Sequence, residues 1–399
     1  MSSILVINSG SSSFKYQLID MDEEQTLATG LIERIGEASG HAKHTGPNGS
    51  TERTLPIPDH TAGFQVMLDA FESGGPSLNE SAPIAVGHRV VHGGKRFFEP
   101  TVITDLVKIN IEDLSELAPL HNPANLQGID AAQKAFPDLP HVAVFDTAFH
   151  QTLAPEAYTY AIDAALAERH RVRRYGFHGT SHKYVSETAA AFLDRPLDEL
   201  KQIVLHLGNG ASVCAVDGGK SVETSMGMTP LEGLVMGTRS GDIDPAVLFH
   251  LNRTAKLDIA ELDDLLNRRS GLLGLSGHGD MRDVQSAAEQ GDAAAALALD
   301  VYLHRLTHYV GAYYALLGGL DTIVFTAGVG ENSPIVRGRS LAGLDALGIR
   351  IDAERNESDA RGPRVISADD SRVTVLVIPT DEELEIARQT LSAVRPAGG

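Results

Sequence analysis

Two short hairpins that carry glycine, separated by about half the chain, constrain the fold of this sequence most strongly. The first runs from Ile4 to Tyr16 and the second from Val204 to Val213; each has an apolar run, a glycine turn and a second run. Glycine permits positive φ and has no Cβ, so successive backbone N–H groups can converge on an anion. Both hairpins continue to an aspartate, Asp20 or Asp217. The repetition predicts an internal duplication whose two phosphate-sized loops face one cleft.

The composition favours a globular protein and disfavours several classes. The chain has 399 residues, 42% of them apolar, which is enough for large cores and two domains. Its net charge of -20 argues against a general nucleic-acid binder or a membrane-surface protein, since both need basic patches. The single cysteine, Cys214, excludes a disulfide framework and a CxxC zinc site. No signal peptide and no apolar span of ~20 residues is visible, so we expect a cytoplasmic protein.

Two charged residues lie in or next to apolar runs that predict buried strands. Arg89 lies within the apolar run from Ile84 to Val91, and Asp146 follows the run from Val142 to Phe145. An arginine on a strand needs an anionic partner or solvent, so Arg89 forms either a structural salt bridge or a ligand contact. Asp146 lies at the carboxyl end of its predicted strand, where ligands bind in open α/β sheets. It can serve as a metal ligand, as a base or as a helix cap.

Histidines four residues apart are a possible zinc signal. His178 and His182 have this spacing, but no HExxH motif and no third ligand accompany them. The same spacing at His304 and His308 falls within a predicted helix from residue 292 to residue 317, where it is typical of an ordinary helix face. The pattern therefore disfavours zinc.

A strand, a glycine loop and a helix N-terminus are predicted over residues 322–334. Asn332 or Ser333 can cap the helix, and Pro334 suits its first turn. Many nucleotide sites have this form, but the segment lacks both the GxGxxG and the Walker patterns.

The carboxylates Glu382 and Glu383 follow a strand predicted over residues 373–378. They suit either a divalent metal or a helix N-terminus. Residues 36–50, rich in Gly, His, Asn and Pro, predict a loop.

Taken together, these segments resemble the acetokinase family, in the superfamily of acetate and sugar kinases, heat-shock chaperones and actin. The most specific matches are residues 6–15 and 175–182, and the resemblance spans nearly the whole chain. It implies an α/β fold with two ribonuclease-H-like (actin-like ATPase) domains and an active-site cleft between them. It also implies an N-terminal domain over 1–148, joined by a C-terminal helix over 384–399, a nucleotide-binding domain over 149–383, and a homodimer.

The resemblance further implies reversible, direct in-line transfer of the γ-phosphoryl group of ATP to acetate, giving acetyl phosphate and ADP, with Mg²⁺ or Mn²⁺. Arg89 and Arg239 would hold the carboxylate and the phosphoryl group in flight, and His178 would donate to that group. Asn8, Asp146 and Glu382 would surround the metal and its waters, and His121 would support the centre. Asp381 departs from the asparagine expected before the paired glutamates.

Two binding regions follow from the same resemblance. The residues implied to line the methyl pocket, beside Arg89, are Val91, Leu120, Phe177 and Pro230. The residues implied to bind the ATP phosphates and adenosine are Lys15, His206, Leu207, Gly208, Asn209, Gly210, Asp280, Met281, Arg282, Gly328, Val329, Gly330, Glu331 and Asn332, with the backbone continuing to Ser212.

Two alternatives remain open at this point. One is a propionate or butyrate kinase of the same family, since one methylene changes selectivity by only ~1–3 kcal/mol. The other is an actin-like or chaperone-like ATPase that transfers nothing to a small acid. Such a protein would carry an added peptide-binding domain, for which the stretch after Glu382 leaves no room, or a polymerisation surface.

Overall fold

The apolar runs of the sequence form the strands of two separate sheets. The structure is a computed structural model that describes residues 2–78, 80–119 and 121–395. Its contacts divide the chain into unit 1, which extends to Ala148 and resumes at Asp381, and unit 2, which extends from Phe149 to Thr380.

The strands of unit 1 are β1 (Ser3–Ser9), β2 (Ser13–Asp20), β3 (Gln25–Glu33), β4 (Gly40–Gly46), β5 (Gly49–Leu55), β6 (Pro83–Val90), β7 (Thr101–Val102) and β8 (His141–Phe145). The strands of unit 2 are β9 (Lys201–Leu207), β10 (Ala211–Asp217), β11 (Lys220–Thr224), β12 (Thr322–Thr326), β13 (Arg364–Val365) and β14 (Thr374–Val377).

The α-helices are α1 (His60–Gly74), α2 (Asp105–Asp113), α3 (Asn122–Ala135), α4 (Pro155–Tyr158), α5 (Ala164–Arg169), α6 (Gly179–Phe192), α7 (Ala246–Ala255), α8 (Ile259–Arg268), α9 (Gly271–Ser276), α10 (Met281–Glu289), α11 (Ala293–Leu317), α12 (Ala327–Asn332), α13 (Pro334–Leu341), α14 (Ala353–Glu357) and α15 (Glu382–Val394). Short 3₁₀ turns lie at Leu114–Glu116, Ala148–Thr152, Leu197–Glu199 and Asp345–Leu347.

The two sheets repeat one topology. The first has the order β5-β4-β3-β2-β1-β6-β8-β7 and the second the order β11-β10-β9-β12-β14-β13. Each contains a three-stranded antiparallel meander, β1 to β3 or β9 to β11, and two later strands continue the sheet in parallel from the first strand of the meander. The first sheet extends its meander with β4 and β5, and each sheet has one further antiparallel strand, β7 or β13, at its other edge. The predicted fold class, α/β with two ribonuclease-H-like halves from an internal duplication, is confirmed.

Each unit has its own apolar core. In unit 1, Phe14 of β2 stacks on Phe64 of α1 with ring centroids 4.6 Å apart. In unit 2, Val185 of α6 packs among Val204, Cys214 and other side chains of the sheet, all fully buried. Central strands covered on their faces by helices are apolar along most of their length, which explains the continuous runs in the sequence.

The longest helix of unit 2, α11, has the capping residues expected of a stable helix. The Asp292 side chain accepts hydrogen bonds from the backbone N–H groups of Ala294 and Ala295, and Gly318 ends the helix in the left-handed conformation with φ 64°. Within the described residues, no helix, α11 included, combines the length and apolar character needed to cross a bilayer.

The prediction of a loop over residues 36–50 was wrong, because β4 and the beginning of β5 lie there. Ala42 and His44 of β4 are buried, and the His44 ring bonds the Tyr16 hydroxyl and the Gly75 carbonyl at 2.8 Å each. A histidine therefore occupies a core-facing position that an apolar side chain usually takes. β5, at the edge of the sheet, is exposed along nearly its whole length, so it lacks the alternating apolar pattern by which strands are recognised.

The segment after β12 also differs in part from its prediction. Residues 327–332 form α12 rather than a glycine loop, and Ala327 begins it with φ 63°, in the left-handed region. Ser333 caps α13, as one of the two predicted candidates, by accepting from the Val336 N–H. The other candidate, Asn332, instead donates to the Gly328 carbonyl.

Candidate active site

The first glycine hairpin borders a cavity of unit 1. Its turn is closed by a 2.7 Å hydrogen bond from the Gly10 N–H to the Ser13 carbonyl. The cavity measures about 360 Å³ and is lined by Asn8, Ser9, Gly10, Ser11, Ser12, Ser13, Lys15, Arg89, Val91, His121 and Asn125. The structure therefore brings together five residues that the sequence predicted for the site.

Arg89 and Asp146 form a forked ion pair beside this cavity. Nε of Arg89 lies 2.9 Å from Oδ1 of Asp146, and Nη2 lies 2.6 Å from Oδ2. Only 2% of the Asp146 side chain is exposed, against 22% for Arg89. Burial alone would lower the pKa of Arg89, but Asp146, Glu382 and Glu383 raise it instead. The guanidinium thus stays charged, and Nη1 takes no part in the pairing with Asp146.

The carboxylates at the start of α15 complete this half of the site. Burial raises the pKa of Glu382, and Asp146 and Asp381 raise it further, while Arg89 and Lys15 oppose them. Burial raises the pKa of Glu383 as well. These carboxylates are held where an additional cation would stabilise their charge.

The oxygen donors of Asn8, Asp146 and Glu382 fit a hard divalent cation such as Mg²⁺. Magnesium commonly takes one or two protein carboxylates and keeps waters and phosphate oxygens as its other ligands. Across the described ranges, no group of three or more His, Cys, Asp or Glu residues is arranged to hold a metal.

The second glycine hairpin, between β9 and β10, lies against a partly buried cation in unit 2. A Cβ built on Gly210 would lie 2.6 Å from Nη2 of Arg239 and 3.7 Å from Cε1 of His178. Nη1 of Arg239 donates to the Pro230 carbonyl at 2.7 Å. Burial lowers the pKa of Arg239, and no carboxylate among the described residues pairs with it. A guanidinium in this setting has electrostatic attraction left for an anion.

Histidines surround the same hairpin. The rings of His178 and His206 stack with centroids 4.2 Å apart, and His182 meets His206 edge-on at 6.2 Å. Nδ1 of His206 bonds Oγ of Ser181 at 2.7 Å. His178 lies just before α6 with φ 56°, a left-handed conformation that turns the chain into the helix. The arrangement places imidazole groups, and no metal-binding set, beside Gly210.

Most residues predicted to bind adenosine line a second cavity in unit 2, of about 610 Å³. Its lining comprises Gly208, Asn209, Gly237, Leu272, Gly279, Asp280, Met281, Arg282, Gln285, Tyr302, Gly328, Val329, Asn332 and Ser333. Asp280 caps α10 and forms an ion pair with Arg282, whose hydrogen bonds lower the pKa of Asp280 to about 2. The cavity therefore has a charged rim and a mixed apolar and glycine-rich interior.

Within the predicted segment 328–332, Gly330 and Glu331 do not line this cavity. Gly330 is buried against Phe325, and Glu331 lines a smaller cavity of about 130 Å³. Their carbonyls accept hydrogen bonds of 3.0 and 2.9 Å from Arg337, which is 1% exposed and also bonds Asn356. Burial lowers the pKa of Arg337 to about 10. Arg337 thus holds the end of α12 in place.

The remaining predicted residues are dispersed. Phe177 is 2% exposed, and the Pro230 carbonyl accepts a hydrogen bond from Arg239. Leu207 is fully buried in β9, so only its backbone can face a phosphate. Val91 belongs to unit 1, whereas Phe177 and Pro230 belong to unit 2. Leu120 lies outside the described residues.

Sequence reasoning missed several polar side chains of this region. The hydroxyl of Ser212, the ring of His150 and the guanidinium of Arg337 are fully or almost fully buried and bonded to other site residues or their neighbours. Each sits in a stretch that reads as an ordinary strand, turn or helix. Only the pairing of chain segments distant in sequence reveals them.

Buried neutral histidines make the stability of unit 2 sensitive to acid. Burial lowers the pKa of His150 to about 4, so the unfolded chain takes up a proton at a higher pH than the folded chain. Stability is then complete above the unfolded pKa and is lost as pH falls towards the folded one. We predict that His150 alone accounts for a loss of about 2 kcal/mol between pH 7 and pH 5, with a lower thermal midpoint.

The control for this prediction is an exposed histidine. His150→Gln should flatten the dependence of the thermal midpoint on pH, whereas His304→Gln, on the exposed face of α11, should leave it unchanged. Equal slopes for His150→Gln and the unaltered protein would contradict the assignment.

The chain is similar over its whole length to proteins of one family. The model of the acetokinase family matches residues 3–388. An acetate kinase of Leifsonia xyli subsp. xyli is 72% identical over 394 residues, which cover 99% of both chains.

Solved structures agree with these sequence matches. The crystal structure of Porphyromonas gingivalis acetate kinase is 43% identical, with a TM-score of 0.95, and the match covers 99% of this chain and 100% of that chain. A propionate kinase from Francisella tularensis subsp. tularensis is 42% identical, with a TM-score of 0.93 and the same coverage. The chain belongs to the acetokinase family.

Proposed function

We propose that this chain catalyses the reversible transfer of the γ-phosphoryl group of ATP to acetate, giving acetyl phosphate and ADP. Family membership supports the reaction, and Arg239 is the observation that carries the site. It is a partly buried cation beside a glycine hairpin, and no described carboxylate pairs with it. Preorganised donors of this kind stabilise the charge that spreads over the oxygens of a transferring phosphoryl group.

The chemistry needs no general base. Acetate, like an aspartate or glutamate side chain with a pKa of ~4, is already ionised at neutral pH. A bond forms between a carboxylate oxygen and the γ-phosphorus, and the bond to the bridging oxygen of ADP breaks. ADP leaves with that electron pair, and no proton changes place. A histidine at the site therefore acts as a hydrogen-bond donor.

The residue roles follow from these contacts. We assign Arg239 and His178 to the phosphoryl group, because both lie at Gly210. We assign Arg89 to the carboxylate of acetate, because the pairing with Asp146 leaves Nη1 for another anion. Lys15, His206 and the backbone from Leu207 to Gly210 are assigned to the ATP phosphates.

The adenosine assignment rests on the larger cavity of unit 2. We assign the nucleoside to the cavity bordered by Asp280, Met281, Arg282, Gly328, Val329 and Asn332. Gly330 and Glu331 contribute to this cavity indirectly: their carbonyls accept hydrogen bonds from Arg337, which fixes the end of α12.

Asn8, Asp146 and Glu382 would hold magnesium or manganese. When bound, such an ion neutralises phosphate charge and orients the nucleotide. The pairing with Arg89 fixes the orientation of the buried Asp146 carboxylate for this role. The raised pKa of Glu382 shows that its charge lacks solvation that a cation would restore.

Propionate is the second candidate acceptor. The propionate kinase of Francisella tularensis is 42% identical to this chain. We assign the methyl group of acetate to Val91, Leu120, Phe177 and Pro230, and one methylene is worth only ~1–3 kcal/mol in an apolar pocket. We therefore expect propionate to be a slower substrate and butyrate slower still.

A hydroxylamine trap for acyl phosphates tests the function. We predict hydroxamate formation that needs both ATP and acetate, with specificity constants in the order acetate, propionate, butyrate. ADP and acetyl phosphate should give ATP in the reverse assay. ATP hydrolysis that does not depend on acetate would favour a non-transferring ATPase, and a preference for propionate or butyrate would reassign the acceptor.

Replacing Arg239 tests the transition-state role. We predict that Arg239→Ala lowers kcat by roughly 10²- to 10³-fold, the size of effect seen when a donor to a developing oxyanion is removed. The Kd for ATP should change little, because the adenosine cavity is lined by other residues. Arg268→Ala is the matched control, since the Arg268 side chain is 66% exposed. An unchanged kcat in Arg239→Ala would remove this residue from the mechanism.

We infer that the enzyme is a homodimer that works in the cytoplasm, where ATP and the metal are available. The support for the dimer is an unusual helix: α7 has no buried residue, and Phe249 on it is 62% exposed. Val247 on the same helix and Ile243 just before it are exposed as well, and it is such a cluster of exposed apolar side chains that is expected at an interface. The buried state of the single cysteine suits a reducing compartment.

The oligomeric state can be tested at this helix. We predict that Phe249→Asp lowers the mass in sedimentation to that of one 42.5 kDa chain. Phe98→Asp, which alters a phenylalanine with 61% exposure in unit 1, should leave the mass of the dimer unchanged. The same mass for both variants would contradict an interface at α7.

A further inference from the structure

A buried serine hydroxyl lies between two of the histidines. Oγ of Ser212, on β10, is 3.0 Å from Nδ1 of His178 and 2.7 Å from Nε2 of His182. Ser212 and His182 are both completely buried. The two imidazoles therefore share one hydroxyl group from which solvent is excluded.

The hydrogen count of this group fixes the direction of its bonds. A serine hydroxyl has one proton to donate. If both imidazoles donated to it, that proton would have no acceptor among the described residues, because no other bond to Oγ of Ser212 is found there. One imidazole therefore donates to the hydroxyl, and the other accepts from it.

The surroundings of His182 show which imidazole donates to the Ser212 hydroxyl and which accepts from it. Its Nδ1 is buried and has no hydrogen-bond partner among the described residues. An orphaned buried N–H is rarer than an unpaired acceptor, so the proton of His182 belongs on Nε2. Burial, together with the neighbouring His150 and His206, lowers the pKa of His182 well below its usual value, so the ring carries one proton. Nε2–H of His182 then donates to Ser212.

The direction of this bond fixes the position of the proton on the His178 ring. Because Oγ of Ser212 accepts from His182, its own proton points to Nδ1 of His178. Nδ1 of His178 is then an acceptor, and the ring proton lies on Nε2. Because Nδ1 of His178 bonds Ser212, Nε2 is the ring nitrogen that presents an N–H.

We propose that Ser212 is a positioning residue that, together with His182, holds His178 as the tautomer with its proton on Nε2, so that a donor always faces the phosphoryl group. That the group facing His178 is a phosphoryl group rests on the proposed function. The tautomer itself does not depend on it. An orienting hydroxyl behind a functional histidine supplies a fixed donor without a second positive charge beside Arg239.

The direct test is the protonation pattern of the ring nitrogens. Nitrogen NMR of the full-length protein labelled in histidine distinguishes protonated from unprotonated ring nitrogens, and a His178→Gln sample identifies the His178 signals. We expect protonated Nε2 and unprotonated Nδ1 for both His178 and His182. A proton on Nδ1 of His178 would overturn the proposal, whether or not the protein phosphorylates acetate.

Variants test the link to turnover. Ser212→Ala should give His178 a mixture of tautomers and lower kcat by roughly 10- to 100-fold, the usual effect of removing a group that orients a functional histidine. Ser212→Thr keeps the hydroxyl and should restore both the tautomer and most of kcat. Because the KM for ATP depends on the adenosine cavity, it should change little in either variant.

A second serine provides the matched control. Ser221, on β11, is completely buried and bonds Nδ1 of His150 at 2.8 Å, but it has no bond to His178. Ser221→Ala should leave the His178 tautomer intact and lower kcat much less than Ser212→Ala does. Equal effects of the two alanine variants on kcat and on the His178 signals would overturn the proposal.

His182→Leu provides an independent variant if Ser212→Ala does not fold. It removes the N–H that the Ser212 hydroxyl accepts, so the hydroxyl can reverse and His178 should again show mixed tautomers. A single Nε2–H tautomer in His182→Leu would overturn the relay from His182.

Discussion

The close approach of a guanidinium to a glycine hairpin is the constraint on which the candidate site depends. A Cβ on residue 210 would lie only 2.6 Å from Nη2 of Arg239, which is too close for a non-bonded contact. Any side chain at Gly210 would therefore displace the Arg239 guanidinium. The cation loses solvent, as the lowered pKa of Arg239 shows, and the Pro230 carbonyl holds it in place. The Arg239 guanidinium thus lies beside the backbone of the hairpin, and no carboxylate of the described residues pairs with it. An anionic phosphoryl group restores the interactions that burial removed from this cation.

The same topology carries different chemistry in unit 1. There the hairpin cavity is bordered by Arg89, whose charge is already paired with the nearly buried Asp146. Glu382 and Glu383 add negative charge, and burial raises their pKa values. A duplicated strand pattern has therefore produced one half with a cation that lacks a carboxylate and one half rich in carboxylates. The first suits a transferring phosphoryl group, and the second suits a metal with a small carboxylic acid bound by the remaining nitrogen of Arg89.

The sequence predicted the parts that depend on local patterns. The hairpins at Gly10 and Gly208, the buried strands and the fold class follow from apolar runs and glycine turns, and the structure has them. The sequence did not predict β4, because His44 takes a core position through its bond to Tyr16. Nor did it predict the helix over 327–332, because Ala327 begins that helix in a left-handed conformation. The bonds of Ser212 to two histidines, and of Arg337 to the end of α12, join segments distant in the chain, so no local pattern signals them.

One measurement tests the central claim directly: a crystal structure of the protein with magnesium, ADP, an aluminium fluoride and acetate. The fluoride complex imitates the phosphoryl group in flight. The account predicts that the Arg239 guanidinium and Nε2 of His178 lie at hydrogen-bond distance, about 3 Å, from the fluoride ligands, with the Gly210 hairpin beside them. A fluoride complex bound with neither group in contact would contradict it.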